Sequence, residues 1–206
     1  MISPPGWSGV AFSERSDGDL RHDPNARSSL AASIGIDEAW AEVTQVHADT
    51  VIEATESGAV GEADALWTRQ RGLPLAVFTA DCLGVVLVSE GAVGVAHAGW
   101  RGMAAGVVGK LRAAMSAAGH VPIRAAVGPG IGPCCFEVGP EVAEMFAAVA
   151  TTSWGTDSVD LRAEASRQLP NLELWTANGC TFHDPGWFSH RLEGTTKRLG
   201  TIGWVP

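Results

Sequence analysis

The sequence predicts an α+β domain in which β-strands and helices form separate layers. Valine-rich runs at 73–82, 84–90 and 92–100 are split by glycine and polar residues, a pattern typical of strands buried on both faces. Residues 101–118 instead repeat apolar side chains every four positions, which indicates an amphipathic helix. Because the chain has 206 residues, no internal repeat and no long linker, we expect a single domain spanning 1–206.

The first elements are a helix and a strand pattern. Asp23 is an N-cap residue and Pro24 occupies the first helical position, a combination that favours a helix start. Gly35 is expected to end this helix. Residues 41–47 are predicted to form a strand, and 50–53 are its continuation or its partner.

The later elements include more helix. The apolar face of the helix at 101–118 consists of Met103, Val107, Val108, Leu111 and Met115, and Gly119 is expected to end the helix. We further predict strands at 123–127, 172–176 and 201–205, a glycine-proline loop at 128–133, and helices at 140–150 and 159–169.

Composition and charge exclude several classes of function. The chain has 14 Lys and Arg against 23 Asp and Glu, for a formal net charge of −9, so its surface should repel a nucleic-acid backbone. Its longest apolar runs, LPLAVF and LGVVLV, are far shorter than the ~20 residues of a membrane helix. The N-terminus has no signal-peptide pattern, and the four cysteines are expected to be thiols. We expect a cytoplasmic protein that acts on a small molecule; the sequence does not determine its oligomeric state.

Three metal-ligand side chains lie at the ends of predicted strands. His47, Cys82 and His97 each precede a turn, where side chains from several strands converge easily. A thiolate and two imidazoles are good zinc ligands, and three protein ligands leave one position open for water or substrate. Their separations match no short zinc-finger spacing, however, and an isolated cysteine or histidine is often an ordinary core or surface residue. The residues alone leave both interpretations open.

Three further segments carry groups suited to a binding site. Arg101 lies in GWRG at the start of a helix, where free N–H groups favour an anion, although it could equally be solvated. The loop 128–136, GPGIGPCCF, contains prolines that remove N–H donors, so it is neither a Walker loop nor a Rossmann fingerprint. It either approaches a ligand or forms a stiff turn. The stretch 180–191 either lines a pocket for an aromatic ring or forms a surface strand.

Seven segments, read in order, form a pattern in which QVH, ADC and HAGWRG are highly specific. They are FSERSDG (12–18), QVHADTV (45–51), ADA (63–65), TADCLGVVL (79–87), AHAGWRG (96–102), GPGIGPCCFEVG (128–139) and CT…WFSHR (180–191). In this order they resemble the laccase-domain family, also called the multicopper polyphenol oxidase or YfiH-like family of purine nucleoside phosphorylases. The resemblance implies layered mixed β-sheets covered by helices, of α/β/β/α type.

The resemblance also implies a centre and an activity. The metal ligands of the family fall on His47, Cys82 and His97, and the implied activity is phosphorolysis of adenosine, inosine and methylthioadenosine, with adenosine deamination also reported and editing of peptidoglycan precursors a further possibility. The chain departs from the family pattern in a short N-terminal segment without the GGVS and SLNLG motifs. It also departs at Leu83, which replaces the usual proline, and at His190, which replaces the usual tyrosine.

These observations predict a zinc-centred mechanism with the following roles. The metal polarises phosphate or water, and phosphate attacks C1′ of the ribose as the purine leaves. Arg101, with Arg15 and Arg191, is expected to hold the phosphate. Asp81 is expected to orient a ribose hydroxyl or a ligand histidine. Gln45, from the QVH segment, is a further candidate for substrate binding.

Three alternatives remain open at this point. The first is a copper polyphenol oxidase, since one cysteine and two histidines resemble a blue-copper ligand set, although six histidines in all are few for a multicopper cluster. The second is a metal-free hydrolase with Cys82 as nucleophile and His97 as base. The third is a closed structural metal site, completed by His183 or Cys180.

Overall fold

The computed structural model describes residues 1–206 as thirteen strands and six helices. The strands are β1 (Val10–Phe12), β2 (Ala41–Thr44), β3 (Val51–Glu53), β4 (Gly58–Glu62), β5 (Ala65–Thr68), β6 (Leu75–Thr79), β7 (Leu83–Ser89), β8 (Ala92–Ala98), β9 (Arg124–Val127), β10 (Val149–Thr151), β11 (Asp157–Val159), β12 (Glu173–Thr176) and β13 (Leu199–Gly203). The helices are α1 (Pro24–Ile34), α2 (Trp100–Ala104), α3 (Val107–Ala117), α4 (Pro140–Ala143), α5 (Leu161–Gln168) and α6 (His190–Glu193). No helix is both long enough and apolar enough to cross a membrane.

Two large sheets pack face to face. One has the strand order β1-β13-β6-β2-β4 and the other has the order β12-β9-β7-β8-β5-β3, while β10 and β11 form a separate pair. Val86 and Val95 of the second sheet lie in one buried cluster with Leu75 and Val77 of the first. Because side chains alternate across a strand, the neighbouring residues of β7 point to the opposite face of their sheet.

Helices cover both outer faces. Val85 and Leu87 of β7 lie in a second buried cluster with Leu111 of α3. On the other side, Leu30 of α1 lies in a buried cluster with Phe78 of β6. The order is therefore helix, sheet, sheet, helix, and the predicted α+β fold of α/β/β/α type is confirmed.

Several predicted boundaries were wrong. The helix at 101–118 is divided into α2 and α3, because Gly106 has a φ of +83° that an α-helix does not accommodate. The helix at 140–150 ends at Ala143, and the following apolar residues form β10, whose pairing with β11 overrides their helical pattern. The final strand lies at 199–203 rather than 201–205 and pairs with both β1 and β6. The sequence patterns did not predict β1, β4, β5, β10 or β11.

Strand pairing brings the site residues together. In the antiparallel β7–β8 pair, Gly84 lies opposite His97, which places Cys82 at the same end of the sheet. The β5–β8 pairing sets Ala65 opposite Ala96, so Asp64 lies beside His97. Residue 47 follows β2 of the other sheet, and the site therefore lies where the two sheets meet.

Candidate metal centre

His47, Cys82 and His97 form one compact group. Their Sγ and ring-nitrogen atoms all lie within 4.8 Å of one another, and the two imidazole rings meet edge to face with centroids 4.7 Å apart. His97 lies inside β8, Cys82 directly precedes β7, and His47 lies in the loop after β2. His97 is buried, Cys82 is half-buried and His47 is exposed, so the group is open to solvent on one side.

The carboxylate of Asp64 organises this group. Asp64 is fully buried, and its Oδ1 lies 2.7 Å from Nδ1 of His97, which turns Nε2 of that ring towards Cys82. The same carboxylate accepts N–H hydrogen bonds from Val46, His47 and Ala48, at 3.2, 3.0 and 2.6 Å. Asp64 therefore fixes the orientation of one histidine and the backbone of the other. Carboxylates in this position commonly orient metal-binding histidines.

The electrostatics of the group favour a thiolate. Burial opposes ionisation of Cys82, but hydrogen bonds and charge from His47 and His97 outweigh it and lower the pKa of the thiol to about 6. Burial likewise lowers the pKa of His97, but Asp64 and Cys82 outweigh it and raise that pKa to about 9. Burial also opposes ionisation of Asp64, yet the hydrogen bond from His97 holds the pKa of the carboxyl below its usual value.

The donor set fits a zinc-type ion. One thiolate and two imidazoles are ligands of catalytic zinc, which keeps a further position for water or substrate. A Cβ atom at Gly99 would lie 3.1 Å from Sγ of Cys82 and 3.5 Å from Nε2 of His97. Glycine at this position therefore keeps the space beside the ligands free.

Two cavities open beside the group. One, of about 240 Å³, is lined by Arg21, Gln45, Phe78, His190 and Arg198 together with all three ligands. The other, of about 210 Å³, is lined by Asp81, Trp100, Arg101, Ile131, Phe136, His190 and Arg191 together with His47 and Cys82. The group thus lies between a cavity with two arginines and a second cavity that combines two arginines with aromatic walls.

A comparison with known families identifies the chain at this point. The sequence model of the multi-copper polyphenol oxidoreductase laccase family matches residues 2–206. The chain belongs to this family. The resemblance inferred from the seven sequence segments is therefore confirmed.

Family members with similar sequences and solved structures agree with this assignment. The chain is 37% identical to the Streptomyces griseus protein named purine nucleoside phosphorylase ORF3, over 97% of this chain and 91% of that protein. It is 36% identical to purine nucleoside phosphorylase Cgl2154/cg2365 of Corynebacterium glutamicum, over 89% and 83%. The crystal structure of YlmD from Geobacillus stearothermophilus superposes with a TM-score of 0.85 at 29% identity, covering 98% of this chain and 94% of that one.

Arg101 and Arg191 both line the second cavity. The guanidinium of Arg101 stacks 4.2 Å over the ring of Trp100 and donates no hydrogen bond to the protein. Arg191 stacks over Phe136 at 5.6 Å and donates one hydrogen bond, of 3.1 Å, to the carbonyl of Glu137. Both side chains are exposed, so their remaining donors face the cavity and solvent.

The structure gives Asp81 a different partner from a ligand histidine. Its carboxylate accepts hydrogen bonds from the hydroxyl of Thr181 at 2.7 Å and from the N–H of Arg191 at 2.6 Å. The residue that orients a ligand histidine is Asp64 instead. Asp81 still lines the second cavity, so a contact with a ribose hydroxyl stays a prediction.

Gln45 and Arg15 lie in contrasting positions. Gln45 lines the first cavity, but its amide donates to and accepts from the backbone of Phe78, both at 2.8 Å, and thereby joins the loop of His47 to β6. Arg15 lines neither cavity: it donates to the carbonyl of Trp187 at 2.7 Å and pairs with Glu193. The predicted phosphate contact of Arg15 finds no support here, because its donors tie the N-terminal segment to the C-terminal one.

Three residues of the site were missed by sequence reasoning. Asp64 lies in the ADA segment, which contributed to the resemblance but was given no role. Arg21 and Arg198 line the first cavity, and nothing in their spacing from the ligands indicates this. His190, from the stretch for which pocket lining was one of two interpretations, lines both cavities. The guanidinium of Arg21, like that of Arg101, donates no hydrogen bond to the protein, whereas Arg198 donates to two backbone carbonyls at 2.9 Å.

Proposed function

We propose that this family member is a zinc-dependent purine nucleoside phosphorylase of the cytoplasm, which uses phosphate to cleave inosine, adenosine or methylthioadenosine. The observation that carries the proposal is a three-ligand centre placed between two cavities, each with one arginine that makes no protein hydrogen bond. Relatives named purine nucleoside phosphorylase, at 36% and 37% identity, support the reaction class.

His47, Cys82 and His97 would hold the ion. When bound there, zinc supplies a Lewis acid that polarises an oxygen of phosphate or water. Arg101 is the best placed residue to bind phosphate, since all of its donors are free and a guanidinium matches phosphate geometry. Arg191 adds a second positive charge at the same cavity.

The remaining residues position the nucleoside. Each carboxylate oxygen of Asp81 already accepts one hydrogen bond, but a carboxylate has about four acceptor sites, so a ribose hydroxyl can donate to it as well. His190 lines both cavities and engages only Nδ1, with the carbonyl of Thr195 at 3.2 Å. We assign His190 to the departing purine. A phosphate oxygen forms the new bond to C1′, and the purine leaves with the electron pair of the glycosidic bond.

Adenosine deamination receives less support from the geometry. Zinc deaminases use a glutamate that is not a ligand as general acid and base. The linings of the two cavities contain no glutamate, and their only non-ligand carboxyl group is that of Asp81. We therefore propose phosphorolysis as the main reaction and treat ammonia release from adenosine as a secondary activity to be measured beside it.

The copper alternative rests on the same three ligands. Among the histidines, only His47 and His97 share a potential metal group with each other, and the second potential group contains three cysteines and one histidine. A trinuclear copper cluster needs a histidine-rich site, which neither group supplies. Oxygen uptake with a phenolic substrate after copper loading is the measurement that would favour the oxidase.

The test is phosphate-dependent release of hypoxanthine from inosine by purified protein of known zinc content. We expect release that requires phosphate and is lost in His47→Ala, while His120→Ala, which changes a half-buried histidine outside both cavities, retains it. Zinc-loaded protein that releases no hypoxanthine from inosine or adenine from adenosine would contradict the proposal.

The position of phosphate can be tested with two matched arginine variants. Loss of charge-assisted hydrogen bonds worth about 1.5–3 kcal/mol should raise the KM for phosphate in Arg101→Gln by roughly 10- to 100-fold. Arg21→Gln changes an equally unengaged guanidinium in the other cavity and should alter the KM for phosphate much less. The reverse result would place phosphate in the cavity of Gln45.

A further inference from the structure

A second group of metal-ligand side chains lies outside the centre described above. It consists of Cys134, Cys135, Cys180 and His183, whose Sγ and ring-nitrogen atoms all lie within 4.8 Å of one another. All three cysteines are free thiols. Since Cys180 and His183 belong to this separate group, the structure does not support either of them as a fourth ligand of the first centre.

Strand topology explains why these four residues meet. β9 and β12 are neighbouring parallel strands, with Val127 opposite Thr176, so their carboxyl ends lie at the same edge of the sheet. The loop after β9 carries Cys134 and Cys135, and the segment after β12 carries Cys180 and His183. The two stretches are distant in sequence and adjacent in space.

The distances match a tetrahedral ligand shell. Sγ of Cys135 lies 3.5 Å from Sγ of Cys134 and 3.4 Å from Nδ1 of His183. Around zinc, with Zn–S near 2.3 Å and Zn–N near 2.05 Å, ligand atoms at tetrahedral angles are about 3.5–3.8 Å apart. Cys135 and Cys180 are buried, Cys134 is half-buried and His183 is exposed, so a cation can enter from the histidine side.

The surroundings leave room for three sulfur atoms and place a hydrogen-bond donor and a positive charge beside them. The N–H of Gly132 donates to Sγ of Cys180 at 3.1 Å, a contact typical of metal-bound sulfur. A Cβ at Gly132 would lie 3.2 Å from Sγ of Cys134, so glycine leaves room for the sulfurs. Arg162 donates to the carbonyls of Gly130 and Gly179, and its buried Nε has no partner. Its positive charge lies beside a shell that would carry about −1 with a divalent ion.

We propose that Cys134, Cys135, Cys180 and His183 form a second, closed Cys₃His site for zinc. A site with four protein ligands is structural rather than catalytic, and here it joins the loop after β9 to the segment after β12. Both stretches reach the second cavity: Phe136 lines it, and Thr181 donates to Asp81. The second zinc therefore stabilises one wall of the reaction site.

Zinc stoichiometry tests the proposal. Full-length protein is purified under reducing conditions, loaded with zinc, desalted and analysed by elemental mass spectrometry. We expect two zinc ions per wild-type chain, one in Cys82→Ser, one in Cys134→Ser and none in the double variant. A single zinc in the wild type that Cys82→Ser removes and Cys134→Ser retains would overturn the second site.

A more conservative variant and a spectroscopic probe distinguish loss of the second zinc from misfolding of the protein. His183→Gln changes an exposed ligand, so the fold should persist while the second zinc dissociates more readily. His22→Gln, at an exposed histidine outside both metal groups, is the matched control. Cobalt(II) bound to Cys82→Ser should show the near-ultraviolet charge-transfer band of several thiolates. A cobalt complex without thiolate bands, or unchanged zinc retention in His183→Gln, counts against the proposal. These readouts use no enzymatic activity, so failure of the phosphorylase assay leaves this result intact.

Discussion

Replacing Asp64 by asparagine tests the core of the candidate centre. The carboxylate receives four hydrogen bonds: His97 and His47 donate to Oδ1, while Val46 and Ala48 donate to Oδ2. Asparagine has nearly the same size but keeps only one acceptor oxygen. Whichever way the amide is turned, two of the four donors then face an NH₂ group that cannot accept a hydrogen bond.

The expected loss follows from those two unpaired donors. Each buried donor that loses its acceptor costs about 1–3 kcal/mol, so the free energy of unfolding of the metal-free protein should fall by about 2–6 kcal/mol. His97, which binds through Nε2, also loses its negatively charged orienting partner, and such losses typically weaken metal binding by 10- to 100-fold. Both effects have a single structural origin and should appear together.

Chemical denaturation of metal-free protein and zinc competition with a chromophoric chelator measure the two effects separately. Asp49→Asn is the matched control, because Asp49 pairs with Lys110 at the exposed surface, where an ion pair contributes at most about 1 kcal/mol. If Asp64→Asn unfolds within about 0.5 kcal/mol of the wild type and binds zinc equally well, the assignment of Asp64 as the organising residue is refuted.

Three further substitutions test other parts of the structure. Gly99→Ala keeps an allowed backbone (φ −71°, ψ 163°) but sets a methyl group against Cys82, so zinc titration should show about tenfold weaker binding while the melting temperature of metal-free protein changes little; unchanged affinity would contradict the fit. The carboxylate of Asp19 accepts a hydrogen bond from the N–H of Arg198. Burial opposes ionisation of Asp19, but this and other hydrogen bonds outweigh burial and lower the pKa of the carboxyl. The ionised Asp19 therefore stabilises the fold fully above the pKa that an aspartate has in the unfolded chain, near 3.9, and stabilises it less as the pH falls. The stability deficit of Asp19→Asn in denaturation curves should shrink between pH 7 and pH 3, and a deficit independent of pH would argue against it. Gly106→Ala should lower the free energy of unfolding by about 1–2 kcal/mol because of its positive φ, and an unaltered denaturation midpoint would show that the backbone relaxes there.

The three ligands could be predicted from the sequence only by combining their chemistry with the resemblance to the laccase-domain family. A cysteine and two histidines near strand ends are suitable metal ligands, but their irregular spacing left ordinary core or surface roles open until the resemblance selected them. The structure brings all three together. The sequence around Asp64 does not indicate that this residue orients a metal ligand. Its role depends on the β5–β8 pairing that places it beside His97, and no pattern within one strand reports which other strand will be its neighbour.

Arg15 and Arg21 are a second case in which the sequence does not indicate the role of a side chain. Arg15 and Arg21 lie in the same N-terminal segment with similar polar neighbours. Arg15 is held by the carbonyl of Trp187 and by Glu193, while Arg21 reaches the first cavity. The partners that separate them come from the C-terminal segment, so only the tertiary structure distinguishes a structural arginine from one available to substrate.

Two residues at the centre have a strained backbone, and carboxylate hydrogen bonds hold both of them in place. His47 and Asp81 have positive φ values of 61° and 88°, a conformation that costs a non-glycine residue about 1–3 kcal/mol. Each is offset by hydrogen bonds to a carboxylate: Asp64 accepts the N–H of His47, and Asp81 itself accepts from Thr181. Because Asp81 directly precedes Cys82, this second contact fixes where the sulfur lies. Asp81 thus shapes the centre through the backbone, without touching a ligand histidine.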